Sequence, residues 1–284
     1  KPLITNDTGH VSLDLMAGGM YKITVRWRGI EVADENVIVD SNDKITIETD
    51  VYYVNFETLD SQGEPLRFVQ VVVYDSVTGI VHDFNVTDES GKATSRLPAG
   101  SFDIEVYWND KVVCSENDIN ITGDQTEQLE CAVYYLDLKT VDSQDKALSD
   151  VHIMLKDESG YLFGSGYTDG SGELRFKVAE GNFTLKGYWQ GDLVYNNTKV
   201  EVEEDRSENL KCDVYYIDIT TVDSEEKIIS NVHVRLLDRS ETMVRSDYTD
   251  DSGKVEFKVA CATYLLEGYW QDTLVYEDEQ FIID

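Results

Sequence analysis

Four tryptophans, Trp27, Trp108, Trp189 and Trp270, stand 81 residues apart along the chain. A fixed period of this length is the mark of a repeat architecture. An aspartate keeps the same spacing at Asp7, Asp88, Asp169 and Asp250. The tripeptide Val-Tyr-Tyr begins at Val51, Val133 and Val214, so one residue is inserted in the first interval. The divisions that follow are a partial repeat at 1–50, full repeats at 51–132 and 133–213, and a last repeat at 214–284. Residues 1–50 match only the back half of a unit, and the last repeat lacks its final strand. The chain is therefore expected to be a segment of a longer array.

Within a unit the apolar residues alternate at period two between turn residues, and no helical period appears. In the second full unit Tyr134, Leu136 and Leu138 alternate before the turn Asp142-Ser143-Gln144-Asp145. Val151, Ile153 and Leu155 follow, then the turns Asp157–Gly160 and Asp169–Gly172, the strands Leu174–Val178 and Phe183–Gly187, and a hairpin after Trp189. About seven short strands per unit predict an all-β chain of tandem immunoglobulin-like β-sandwiches. The tryptophans are expected between the two sheets, with a sugar-stacking surface position as the alternative.

The junctions between units carry further information. Leu210, Cys212 and Val214 share one face of an extended stretch, and Tyr215, Ile217 and Ile219 share the other. The same switch occurs around Cys131–Val133 and around Ile47–Val51. Side chains alternate strictly along a strand, so each switch predicts a continuous segment that leaves one core and enters the next. No Gly-, Ser- or Pro-rich linker intervenes, which predicts units stacked as a stiff rod.

The first full unit places Asp60-Ser61-Gln62-Gly63-Glu64-Pro65-Leu66 before Val69, Val71 and Val73, then Thr87-Asp88-Glu89-Ser90-Gly91 and Leu97-Pro98-Ala99-Gly100-Ser101-Phe102. This order resembles the carboxypeptidase-regulatory-like and Cna-B-like repeats of microbial surface proteins. The resemblance implies transthyretin-type β-sandwiches acting as scaffold, stalk or adhesin, and no reaction. Later units depart from it, with Gln144-Asp145-Lys146 and Glu225-Glu226-Lys227 where the first has Gly63-Glu64-Pro65. Some Cna-B-like domains carry a Lys–Asn cross-link promoted by a carboxylate. Lys139 falls near the lysine position, but no unit has the whole set.

Charge and cysteine usage bound the setting. Asp and Glu number 56 against 24 Lys and Arg, a net charge of −32. That excess repels nucleic acid and anionic membrane surfaces. No apolar run is long enough to span a bilayer. Four cysteines without a Cys-x-x-Cys pair point away from zinc and redox motifs. Of three possible pairings, Cys114–Cys131 and Cys212–Cys261 are preferred, and buried free thiols are the alternative. Glycosylation triplets begin at Asn6, Asn85, Asn120, Asn182 and Asn196, more than chance supplies. With disulfides they place the chain outside a cell.

Catalytic and metal chemistry find little support. The histidines His10, His82, His152 and His233 invite a metal or catalytic reading, but the repeat-equivalent His152 and His233 are expected on the solvent side of a strand, and no Ser or Cys completes a nucleophilic set. The acidic turns Asp169–Gly172 and Asp250–Gly253 have residues that could ligate calcium, but Asp, Ser and Gly are also what a tight turn needs without an ion. No cofactor is expected. The leading function is a non-catalytic rod, stalk or filament segment whose partners are neighbouring repeats or subunits joined by β-strand addition. An adhesin module that binds carbohydrate or protein, and the accessory domains of a secreted enzyme, are the alternatives.

Overall fold

The computed structural model describes residues 2–283, and every regular element among them is a strand. By its contacts the chain divides into two compact units, Lys1–Cys131 and Ala132–Asp284.

The first unit opens with a hairpin, β1 (Gly19–Trp27) and β2 (Ile30–Val39), whose strands pair only with each other among the described residues. A sandwich follows, made of β3 (Val51–Leu59), β4 (Gln70–Asp75), β5 (Val81–Val86), β6 (Lys92–Pro98), β7 (Gly100–Trp108), β8 (Lys111–Ile121) and β9 (Gln125–Glu130). One sheet has the order β6-β3-β9 and the other β5-β4-β7-β8. The β3–β9 pairing is parallel, so the last strand lies beside the first.

The second unit repeats this plan with β10 (Val133–Val141), β11 (His152–Asp157), β12 (Leu162–Tyr167), β13 (Glu173–Ala179), β14 (Gly181–Trp189), β15 (Asp192–Val202) and β16 (Arg206–Lys211). A third sandwich holds β17 (Val214–Thr220), β18 (His233–Leu237), β19 (Met243–Tyr248), β20 (Lys254–Ala260), β21 (Ala262–Trp270) and β22 (Thr273–Ile283). Its four-stranded sheet, β19-β18-β21-β22, matches the others, while β17 pairs with β20 alone among the described residues.

The alternation read from the sequence is the alternation of burial. Leu136, Leu138, Ile153, Leu155, Phe183 and Leu185 fill the core of the second sandwich. The segment 206–220 changes cores as its pattern requires: Leu210, Cys212 and Val214 join the second core, and Tyr215, Ile217 and Ile219 pack on the third.

The acidic turns are closed by their own aspartates. Asp169 Oδ1 accepts the N–H groups of Ser171 and Glu173, each at 2.8 Å, and Asp250 does the same for Ser252 and Lys254. The amides hold the Asp169 carboxyl below the usual carboxylate range, and the Ser252 hydroxyl, at 2.7 Å, does so for Asp250 together with its amides. Gly172 ends the turn at φ 77°, where a side chain would meet the Thr140 carbonyl. A buried threonine, not singled out from the sequence, ties this turn to the core: Thr168 Oγ1 donates to the Leu148 carbonyl at 3.0 Å and accepts the Val151 N–H at 3.1 Å.

Candidate functional site

A buried polar cluster lies where the second sandwich meets the third, inside the second unit. Asp142 sits on the turn after β10 and has 0% of its surface exposed. Its Oδ1 accepts the turn amides of Gln144 and Lys146, each at 3.0 Å. Its Oδ2 accepts the Tyr216 hydroxyl at 2.8 Å and forms an ion pair with Lys258 Nζ at 2.7 Å. Tyr216 lies on β17 and Lys258 on β20, so a carboxylate of one sandwich is held by two donors of the next. Burial alone would raise the Asp142 pKa, but the bonds from Lys258, Tyr216 and the turn amides outweigh it and hold the carboxyl below its usual range.

Trp189 flanks the cluster at the end of β14, 8% exposed. The Arg245 guanidinium lies 5.6 Å and the Lys258 ammonium 6.0 Å from its ring centroid. Arg245 also hydrogen-bonds the side chain of Gln190 on the β14–β15 hairpin. Backbone bonds complete the contact: Asp213 N–H to the Val194 carbonyl at 2.8 Å, and Ser143 N–H to the Val214 carbonyl at 3.0 Å. Trp189 is part of the buried core of the second sandwich, as expected, and its ring also faces the cations Arg245 and Lys258 of the third.

The first unit has a smaller contact of the same kind. Trp27 on the β1–β2 hairpin packs against His82 at 5.8 Å, and Arg28 donates to the His82 carbonyl at 2.7 Å and to Asp83 at 3.1 Å. Asp50 N–H bonds the Val32 carbonyl at 2.8 Å, as Asp213 bonds Val194. His82 also lies 5.3 Å from Phe102, and its buried Nε2 has no partner. Burial first, and the Arg28 charge second, lower its pKa below that of a free imidazole. His82 is thus half-buried, with the hairpin packed on it. His10 is exposed, and His152 and His233 stack on Tyr167 and Tyr248 at 4.7 and 4.6 Å.

The remaining sequence candidates separate. All four cysteines are thiols, so neither preferred bridge is formed. Cys114 on β8 and Cys131 after β9 are nevertheless close enough for each thiol to shift the other's pKa, and Cys131 Sγ donates to the Leu129 carbonyl at 3.6 Å. Cys212 is buried in the second core, where burial pushes its thiol up to about 12, while Cys261 is exposed on the turn before β21; core and surface keep that pair apart. Asn6, Asn120 and Asn196 are exposed. Asn85 is half-buried and donates to Asp83 and Ser95, and Asn182 is half-buried and donates to Glu158. Lys139 pairs with Glu173 at 3.4 Å on the surface. Among the described residues no three His, Cys, Asp or Glu side chains converge on a point that could hold a metal.

No family model matches the chain, and no curated protein sequence does. Solved structures give distant likenesses. The TIE protein of Bacillus anthracis is 17% identical over 93% of this chain at a TM-score of 0.27, and the chain spans 55% of its length. The shaft pilin SpaA of Lactobacillus rhamnosus GG is 9% identical over 57% of this chain and 97% of its own, at 0.34. A streptococcal ancillary pilin is 13% identical over 81% of this chain and 96% of its own, at 0.32. At these scores the likenesses carry no functional weight.

Proposed function

We propose that the chain is a non-catalytic structural segment of an extracellular repeat protein, a rod, stalk or filament element built from β-sandwiches joined end to end. The observation that carries this is the joint at Asp142. A flexible linker needs no buried carboxylate, and burying one without partners is costly. Here the cost is offset by donors that belong to the next sandwich, Tyr216 and Lys258, so the joint has one preferred geometry. A continuous extended segment, 206–220, passes through it without a linker. Repeats that contact mainly their neighbours gain length by adding units.

The finer assignment, to sandwiches of the Cna-B-like or carboxypeptidase-regulatory-like kind, draws on the turn order of the first full unit. The acidic surface and the exposed triplets at Asn6, Asn120 and Asn196 favour a cell-surface setting in which these asparagines carry glycans. The β1–β2 hairpin favours strand addition as the mode of association. Its apolar face at Tyr21, Ile23 and Val25 is half-buried, where the equivalent Phe183 and Leu185 are fully covered, and both strands keep a free edge. Strands from adjoining chain or from a neighbouring subunit complete it. Small-angle scattering tests the rod: a maximum dimension on the order of 120 Å is expected from strand lengths in line, and a compact profile overturns the reading. An adhesive role finds one favouring observation, the exposed tyrosines Tyr161, Tyr167 and Tyr248; binding on a glycan array that Tyr167→Ala and Tyr248→Ala abolish would support it.

A further inference from the structure

The joint in the second unit has two halves, and each recurs along the sequence. The socket half belongs to the second sandwich: Asp142 on the turn, Trp189 and Gln190 at the hairpin, and Val194 on β15. The plug half belongs to the third: Tyr216 and Lys258, with Arg245 over the indole. At a spacing of 81 residues the third sandwich carries its own socket half, Asp223, Trp270, Gln271 and Val275.

That second socket is built like the first but is open. Asp223 Oδ1 accepts its turn amides from Glu225 at 2.8 Å and Lys227 at 3.0 Å, as Asp142 does. The side chain is exposed where Asp142 is buried. Trp270 is 42% exposed against 8% for Trp189, and Val275 is 55% exposed against 1% for Val194. The plug half recurs as well: Tyr53 with Arg96, and Tyr135 with Lys177, stand at the positions of Tyr216 and Lys258. Every unit with a Val-Tyr-Tyr start therefore carries a hydroxyl and a cation for the carboxylate of a unit before it.

We propose that this face of the third sandwich is the seat of one further β-sandwich of the same repeat, which presents a tyrosine hydroxyl and a lysine or arginine to Asp223 and covers Trp270 and Val275. Continuity with the occupied joint selects the occupant. The geometry at Asp142 shows what fits the socket, and Asp223 keeps the same turn, with Oδ1 on the turn amides. Charge selects it further. A chain at −32 repels acidic surfaces in general, so a partner has to bring its cation to this point. An apolar pair such as Trp270 and Val275 beside a carboxylate matches a side chain with an aliphatic stem and a charged head. The proposal deepens the structural reading and rests on it, because it assumes units joined end to end.

The test adds the occupant to the intact chain. A second copy of residues 123–203 placed directly after residue 284 keeps the 81-residue period, supplies Tyr135 and Lys177 as the plug, and leaves the peptide with Trp270 unique. Hydroxyl-radical footprinting with peptide mapping then reads Trp270 and Val275 in both chains. Oxidation several-fold slower in the extended chain is expected, with most of the difference removed by Lys177→Ala in the appended copy. Asp223→Ala should act in the same direction; because Asp223 also closes its own turn, the lysine variant is the cleaner arm. An unchanged Trp270 rate, while circular dichroism gains the strand signal of a folded unit, overturns the proposal. That result leaves the array reading intact, since folded units on a loose joint are still an array. Concentration-dependent protection of Trp270 in the unextended chain also overturns it, because the occupant is then a second molecule.

Discussion

The two joints that the units contain solve one problem with opposite charges. In the second unit the hairpin brings Trp189 and Gln190, and the receiving sandwich brings the cations Arg245 and Lys258. In the first unit the hairpin brings both the indole and the cation, Trp27 and Arg28, and the receiving sandwich brings Asp83 and a neutral His82. The backbone bond between Val194 and Asp213 has its equal between Val32 and Asp50. Backbone position and tryptophan are thus common to both, while the polar partners are exchanged. The difference in depth is larger: Asp142 is enclosed, whereas the Arg28–Asp83 pair keeps side-chain exposures of 44% and 18%. An enclosed ion pair is costly to break on one side, and an exposed one is nearly neutral. The joint in the second unit should therefore be the stiffer and the more easily damaged.

The largest effect is expected for Asp142→Ala. It leaves Lys258 and Tyr216 facing a gap and opens the turn at Gln144 and Lys146. A loss of about 3 kcal/mol is expected, toward the low end for a broken buried pair. It should appear as faster hydrogen exchange on β10 and β17, and a loss no larger than that of Arg28→Ala would break the comparison.

Next comes the thiol pair that separates two equivalent positions. Cys131 and Cys212 are 81 residues apart, but Cys131 faces Cys114 where Cys212 has Tyr195 at the matching place. Oxidised glutathione should convert Cys114 and Cys131 to a disulfide, each thiol giving up its proton and two electrons passing to the oxidant. The closed loop is short, so stabilisation of up to about 3 kcal/mol is expected. A non-reducing peptide map checks it: the Cys114–Cys131 peptide should form, and Cys212 and Cys261 should remain alkylatable once unfolded.

A smaller effect separates the joints by pH. His82 and Asp142 both have folded pKa values below their unfolded ones, so for each the unfolded chain binds more protons and stability falls with falling pH. The His82 contribution is complete above the free imidazole value of about 6.5 and is lost as pH falls below it. The groups that set it are Arg28, which opposes protonation, and Asp83 and Asp75, which favour it. The Asp142 contribution is complete above the free carboxylate value of about 3.9 and is lost only as pH falls through its folded value. Between pH 7 and 5 the β1–β2 hairpin should loosen while the joint at Asp142 holds. Footprinting of Trp27 and Trp189 across that range checks it, and equal responses would remove the distinction.

The smallest effect is Arg28→Ala, expected at no more than about 1 kcal/mol because the guanidinium is partly exposed and its loss leaves no enclosed charge behind. Arg28→Ala should also raise the His82 pKa, since it removes a positive neighbour. A histidine titration by NMR reads that directly.

The 81-residue period, the seven-strand plan and the change of core within 206–220 were legible in the sequence, because the direction of a side chain along a strand is local and alternates strictly. The turns were legible for the same reason: Asp169 and Asp250 bond amides two and four residues ahead, so their chemistry lies within one short window. What only the tertiary structure decided is the fate of equivalent residues. Asp142 and Asp223 occupy the same turn, and Trp189 and Trp270 the same hairpin, yet one of each pair is buried and the other exposed. The packing of His82 between Trp27 and Phe102 was likewise hidden. Burial and pairing depend on which surface is packed against a residue from far along the chain, and a repeat presents the same local pattern whether or not that surface is there.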